Sequence, residues 1–161
     1  MKTIYLAGGC FWGVQKYMDQ FQGILKTTVG YANGHTVNPK YEDVKAQITG
    51  HTETAEVVYD ETIISLKEIL EHFYVVVDPT SLNKQGEDIG TSYRCGIYYI
   101  NQEDLEVIQQ VTQHEQTKYD KPFVIEIEPL QSYYLAEEYH QKYLDKNPQG
   151  YCHIDSCYFK N

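Results

Sequence analysis

The sequence predicts an α+β fold, a two-layer sandwich with a ferredoxin-like (split βαβ) core and an extended C-terminal tail. Three observations carry that prediction. Short apolar runs bounded by turn residues alternate with helical periodicities in the order strand, helix, strand, strand, helix, strand, then helix, strand, helix, and the first six follow the split βαβ arrangement. The segment from Lys146 to Asn161 contains Asn147-Pro148-Gln149-Gly150 and no periodicity, as expected of an extended, adaptable stretch. The chain has 161 residues, which suits one core and not two. A single domain over 1–161 is therefore expected, with 146–161 as its tail.

Each element has its own signal. Thr3-Ile4-Tyr5-Leu6-Ala7 is a short apolar strand ending at Gly8-Gly9, and Trp12 to Phe21 has the mixed pattern of a helix. Ile24 to Tyr31, rich in Thr, Val and Ile, is a second strand, followed by the turn residues Gly30-Tyr31-Ala32-Asn33-Gly34 and a long loop. From Glu53 to Tyr59 the alternation places Glu53, Ala55, Val57 and Tyr59 on one face, which leaves one carboxylate on a mostly apolar surface. Ser65-Leu66-Lys67-Glu68 has the form of a capping box, and Leu66, Ile69, Leu70 and Phe73 repeat at helical spacing. Asp78 to Tyr93, with Pro79, Gly86 and Gly90, reads as a functional or disordered loop. Arg94 to Ile100 is a strand, Asn101 is placed to cap a helix carrying Leu105, Ile108 and Val111, and Phe123, Ile125 and Ile127 share a strand face. A last helix is expected from Ala136 to Leu144.

Composition excludes some functions. Thirteen Lys+Arg against 23 Asp+Glu gives a net charge of −10, which repels phosphate backbones and anionic lipid, so neither nucleic acid nor membrane is an expected partner. Leu6-Ala7-Gly8-Gly9-Cys10 looks like a lipid-modification box, but only Ile4 to Ala7 is continuously apolar before it, too short for an export signal. The expected setting is the cytoplasm and the expected state a monomer. There thiols stay reduced, and a disulfide is transient and catalytic. A chain of this size buries roughly 70% of its unfolded surface without disulfide staples, so its four cysteines need another explanation. Its sixteen tyrosines hint at sites that bind and donate protons.

Cys10 stands between a glycine pair and a predicted helix start, where free N–H groups and the helix dipole favour a thiolate. Gly8, Gly9 and Gly13 would let the backbone bend and a substrate approach. Glu53 on its apolar face is expected to be desolvated, to keep its proton near neutrality and so to act as a general acid. Tyr41 and Tyr93 are phenol donors in loops. Cys152 and Cys157 form a Cys-x4-Cys pair with His153 beside the first, on a tail suited to reaching another sulfur. A zinc site would need a second ligand pair of suitable spacing. Cys95, alternating with Ile97 and Tyr99, reads as core filler.

Taken together, Gly9-Cys10-Phe11-Trp12-Gly13, Gly30-Tyr31-Ala32-Asn33-Gly34, Asn38-Pro39-Lys40-Tyr41, Gly50-His51-Thr52-Glu53, Asp78-Pro79-Thr80-Ser81, Gln85-Gly86-Glu87-Asp88, Thr91-Ser92-Tyr93-Arg94, Tyr139-His140-Gln141 and Asn147-Pro148-Gln149-Gly150-Tyr151-Cys152 resemble, in order, the blocks of the peptide methionine sulfoxide reductase A family. The resemblance covers nearly the whole chain. It implies reduction of methionine-S-sulfoxide, free or in proteins, and thereby repair of oxidised proteins under oxidative stress. It implies that Cys10 is the nucleophile, that Phe11 and Trp12 cradle the sulfoxide methyl, and that Glu53 donates the proton. Tyr41, Tyr93 and Asp88 would bind the sulfoxide oxygen, and Cys152 would be the resolving cysteine. It also implies electrons from thioredoxin or another dithiol, with no metal or other cofactor. Cys157 could pass the disulfide outward by one more exchange. The chain departs from the family pattern at Lys45, where some members have a cysteine, and at Val77, Glu87 and Cys95. Cys95, two positions from Tyr93, is thereby a competing resolving thiol.

Two rival readings make different predictions. A cysteine acyl transferase or hydrolase would use Cys10 with His51 or His140 as base. A non-catalytic thiol or metal-binding module would use the Cys152/Cys157 pair and survive loss of Cys10.

Overall fold

The computed structural model describes residues 1–159. In chain order its elements are β1 (Lys2–Ala7), α1 (Phe11–Asp19), β2 (Ile24–Ala32), α2 (Tyr41–Lys45), β3 (Thr52–Tyr59), α3 (Leu66–Val76), β4 (Lys84–Gln85), β5 (Asp88–Ile89), β6 (Gly96–Tyr99), α4 (Asp104–Gln116), β7 (Glu126–Pro129), β8 (Tyr133–Leu135) and α5 (Tyr143–Lys146), with single 3-10 turns at Thr91–Tyr93, Glu138–His140 and Ser156–Tyr158. Six strands form one mixed sheet in the order β7-β6-β1-β3-β2-β8. Every neighbouring pair is antiparallel except β6 with β7. The α1 crossover carries the chain from β1 to β2 past the position that β3 fills between them.

Strand alternation sorts the side chains. Ile4 and Leu6 of β1 stand opposite Val57 and Ala55 of β3, and Leu6 is also opposite Ile97 of β6. These residues face one way and form the main core with Val14 and Met18 of α1, Ile69, Leu70 and Phe73 of α3, and Ile108 and Val111 of α4. The opposite face carries a smaller cluster of Tyr5, Ala7, Ala32 and Tyr98 under Leu130 and Tyr133. The helices thus lie on one side of the sheet. No helix among the described residues is long and apolar enough to cross a membrane.

Part of the tyrosine surplus is structural. Tyr5, Tyr31 and Tyr98 are buried, and their hydroxyls donate to Glu56 (2.7 Å), Glu137 (2.8 Å) and Glu126 (2.6 Å). In an acidic chain these phenols satisfy carboxylates that half-burial would otherwise leave short of partners.

Several sequence expectations hold in detail. Ser65 Oγ accepts from the Glu68 N–H and Glu68 Oε1 accepts from the Ser65 N–H, which completes the capping box of α3. Others are corrected. Asn101 does not cap α4, whose N-cap is Glu103 without a side-chain hydrogen bond; only the Asn101 carbonyl is used, accepting from the Asp104 N–H. The expected helix from 136 to 144 is broken. Gln141 binds the backbone of Val29 through both its amide atoms, and Lys142 takes a left-handed φ of 56°, so only Tyr143–Lys146 is α-helical. The strand at 123–127 starts later, at Glu126, although Phe123, Ile125 and Ile127 all pack on the core as expected. The loops at 33–51 and 78–93 hold α2 and the β4-β5 hairpin, and β8 was not expected at all.

Past the end of α5, segment 147–159 has no regular element beyond its 3-10 turn, but it is docked. Ile154 is 6% exposed and joins the main core, and Gln20 Nε2 donates to the Tyr158 carbonyl near the C-terminal end of α1. The last two residues of the expected tail, 160 and 161, lie outside the described residues.

Candidate active site

Three pieces of the fold meet at the N-terminus of α1. The Gly8-Gly9 turn, with Gly9 at φ +82°, ends β1 and makes Cys10 the N-cap of the helix. Glu53, second residue of β3, faces the helix side of the sheet as its alternation predicts, and its Oε1 accepts the Phe11 N–H at 3.1 Å. The β4-β5 hairpin brings up Asp88, while α2 and the 3-10 turn at Thr91–Tyr93 supply Tyr41 and Tyr93. A cavity of about 240 Å³ results, lined by Cys10, Phe11, Trp12, Tyr41, Lys45, Glu53, Asp88, Tyr93 and Tyr151. The structure thus gathers in one place seven of the residues singled out from sequence, Cys10, Phe11, Trp12, Tyr41, Glu53, Asp88 and Tyr93. Lys45 and Tyr151 were not assigned to the site. Lys45 comes within reach because α2 forms, with its Nζ 5.9 Å from the Tyr41 ring centre.

The walls are braced from behind. The Trp12 ring stacks on Tyr143 at 3.7 Å and its Nε1–H donates to His140 Nδ1 at 3.0 Å. Glu137 holds Tyr41 by accepting its backbone N–H at 3.0 Å while also accepting from the buried Tyr31 hydroxyl. Sequence periodicity has no means of marking such a brace, because Glu137 is far in the chain from both partners.

Burial decides the protonation states. Glu53 is 2% exposed, and desolvation pushes its carboxyl up to about 8; Asp88 adds to the rise, while the Phe11 N–H and Lys45 oppose it. At neutral pH Glu53 therefore mainly keeps its proton. Asp88 is also raised by burial, against the Cys10 N–H. The phenols of Tyr41, pushed up to about 12, and of Tyr93, higher still through burial, remain donors. The expected thiolate at Cys10 is not what the resting site favours. Cys10 is 7% exposed, and burial raises its thiol well above its ordinary range, with any negative charge on Glu53 adding to the rise. The helix N-terminus contributes only the opposing Trp12 N–H, the smaller effect. Cys10 rests as a neutral thiol.

Residues 2–161 match the family model described as "Peptide methionine sulfoxide reductase". The chain belongs to this family. It is 58% identical over 154 residues to a peptide methionine sulfoxide reductase MsrA from Clostridium botulinum, covering 96% of this chain and 98% of that one. A relative from Lachnoclostridium phytofermentans is 57% identical over 158 residues, covering 98% and 95%. Among solved structures, Mxr1 from Saccharomyces cerevisiae in reduced form superposes with a TM-score of 0.90 at 38% identity over 94% of this chain and 88% of that one. Methionine sulfoxide reductase A of Corynebacterium diphtheriae gives 0.89 at 37%, over 94% and 77%. A structure of Mxr1 in complex with Trx2 is also similar, with a TM-score of 0.63 at 28% identity over 88% and 84%. This family member is an oxidoreductase that reduces methionine sulfoxide with thiols.

The four sulfurs occupy different settings, all as free thiols. Cys152 lies on the docked tail against α1, its Sγ occupying the space that a Cβ on Gly13 would need, 2.7 Å from that point. Gly13 therefore makes room for the tail sulfur, where the sequence suggested substrate. Cys95 is 2% exposed, pushed up to about 12 by burial, and packs in the main core away from the cavity. Cys157 is exposed beside Tyr17, Phe21 and His72, at the far end of α1 from Cys10.

The rival readings find less support. His51 Nδ1 accepts from the Gly34 N–H and its Nε2 faces the Thr36 carbonyl, while His140 Nδ1 is taken by Trp12, and neither ring lines the cavity as a base for Cys10. Among the described residues no three His, Cys, Asp or Glu side chains are grouped so as to hold a metal ion.

Proposed function

We propose that Cys10 attacks the sulfur of methionine-S-sulfoxide, free or protein-bound, while Glu53 delivers the proton that the departing oxygen needs. The observation that carries this is the burial of a protonated Glu53 in the same cavity as Cys10, with its carboxyl pushed up to about 8. A sulfoxide oxygen is a poor leaving group until protonated, and an acid held in a water-poor site meets that need. Tyr41 and Tyr93 donate to the same oxygen, Asp88 acts alongside them, and Phe11 and Trp12 hold the methyl. Because Cys10 rests as a thiol, it must lose its proton after substrate enters; that proton replaces the one Glu53 gives to the oxygen, so the step is proton-neutral and Glu53 is restored.

The bookkeeping closes. The sulfoxide and the Cys10 thiol give methionine and a Cys10 sulfenic acid; the Cys152 thiol condenses with that acid, forming a disulfide and releasing water. A dithiol, with thioredoxin as the proposed partner, then reduces the disulfide, either directly or after exchange with Cys157. The solved complex of a similar protein with Trx2 supports that partner. No metal or other cofactor enters these steps. We read residues 1–161 as one domain acting as a monomer in the cytoplasm, in repair of oxidised proteins. The inner order β6-β1-β3-β2 supports a ferredoxin-like core, and the absence of any regular element over 147–155 supports an adaptable tail.

A single-turnover assay without reductant tests the first step. Cys152→Ser should form about one methionine per enzyme, since its sulfenic acid has consumed the attacking thiol; wild type should form about one if the Cys10–Cys152 disulfide persists, and about two if exchange with Cys157 frees Cys10 again. Cys10→Ser should form none; methionine formation by Cys10→Ser at the wild-type rate overturns the assignment.

A further inference from the structure

Beside the catalytic cavity lies a buried imidazole that the mechanism above leaves unused. His153 follows Cys152 directly, and its side chain is 3% exposed. Its ring fills a slot between two glycines: a Cβ on Gly9 would lie 3.0 Å from Nε2, and one on Gly86 would lie 3.1 Å from the His153 Cβ. The Gly8 backbone lies alongside as a polar neighbour of the ring, without a well-formed hydrogen bond to either ring nitrogen. Asp88 Oδ2, also buried and without a hydrogen bond, stands 3.8 Å from Nδ1. A buried polar cluster this loosely satisfied, next to a reactive cavity, calls for a physical explanation. Through Asp88, which also faces the Cys10 N–H, the ring connects the residue after the tail sulfur to the nucleophile turn.

We propose that His153 is a positioning residue that clamps the Cys152-bearing tail beside Cys10 through the Asp88 carboxylate, and so sets the rate of disulfide formation. The proposal rests on the assignment of Cys152 as resolving thiol. It acts on the second step, in which the Cys152 sulfur bonds to the Cys10 sulfur and the sulfenic oxygen leaves as water. A ring of the right volume is not sufficient; a nitrogen facing Asp88 is required. Burial holds the imidazole below its ordinary range, so at neutral pH it offers one N–H without adding a charge to the slot.

The test is rapid-quench kinetics on full-length His153→Ala, His153→Phe and His153→Gln, trapping the Cys10 sulfenic acid with dimedone and following the disulfide by mass. With a misplaced thiol, Ala and Phe should slow disulfide formation by roughly tenfold or more relative to the sulfoxide step, and the trapped sulfenic acid should accumulate. Gln, which keeps an N–H, should recover most of the rate. Thermal unfolding of each variant establishes that the comparison is between folded proteins. A disulfide rate in Phe equal to wild type overturns the proposal, as does an equal slowing of both steps. Failure of the wild type itself to form a Cys10–Cys152 disulfide would overturn the underlying assignment instead.

Discussion

The first-step residues and the tail differ in what holds them. Cys10 and Glu53 sit where a strand end, a helix start and a neighbouring strand converge, each nearly sealed from water. Cys152 sits on a segment without a strand or a long helix, held by Ile154 in the core, a glycine-lined slot and a few contacts along α1. The lesson is that the two chemical steps make opposite demands. Protonating a sulfoxide needs a rigid dry site that lifts an acid's pKa. Resolving a sulfenic acid needs a thiol that is near when wanted and leaves afterwards, since the disulfide must meet an external reductant.

Substitutions can break or sharpen that contrast. The largest expected effect is Cys10→Ser, which removes sulfoxide reduction altogether, whereas Cys152→Ser keeps the first turnover and loses sustained turnover with thioredoxin; steady-state and single-turnover assays separate the two. Glu53→Gln should slow the sulfoxide step by about 10²- to 10⁴-fold, the range for a positioned general acid. The wild-type rate of that step should fall as pH rises through about 8, where Glu53 ionises, and the Gln variant should lose that limb. Stability gives an independent check. A carboxyl raised in the folded state takes up a proton on folding between its unfolded and folded values, so its contribution is lost as pH rises through about 8. Glu53→Gln should therefore raise Tm more at about pH 9 than at about pH 5; an equal shift at both contradicts the buried-acid account.

Smaller effects probe the tail and the scaffold. Gly13→Ala gains helix propensity, up to about 1 kcal/mol. It also places a methyl 2.7 Å from Cys152 Sγ, so the disulfide step should slow by roughly tenfold as the tail shifts. Rates read by quench and mass should show the first step less affected. Ser65→Ala should cost about 1 kcal/mol through loss of the α3 capping box, visible as a Tm lower by about 2–4 °C, with activity unchanged.

How much of this the sequence shows depends on how local each determinant is. The Ser65/Glu68 box, the alternation that buries Glu53 and the glycine turn before Cys10 are written within a few residues, and the structure follows them. The failures are non-local. Asn101 loses the N-cap position to Glu103, two residues later, and the expected helix at 136–144 breaks because Gln141 finds the β2 backbone, a partner more than a hundred positions away. The raised thiol of Cys10 belongs with them, since helix placement is local but burial is a sum over the whole fold. Lys45 and Tyr151 reach the cavity, and His153 its slot, only when α2 and the tail are docked.

The central claim is that the rigid site oxidises Cys10 and the tail resolves it through Cys152. Peptide mass mapping of the wild-type protein, after one turnover on methionine sulfoxide and before any reductant, tests it most directly. The account predicts a Cys10–Cys152 disulfide as the first linkage; a first linkage of Cys10 to Cys95 or Cys157 would contradict it.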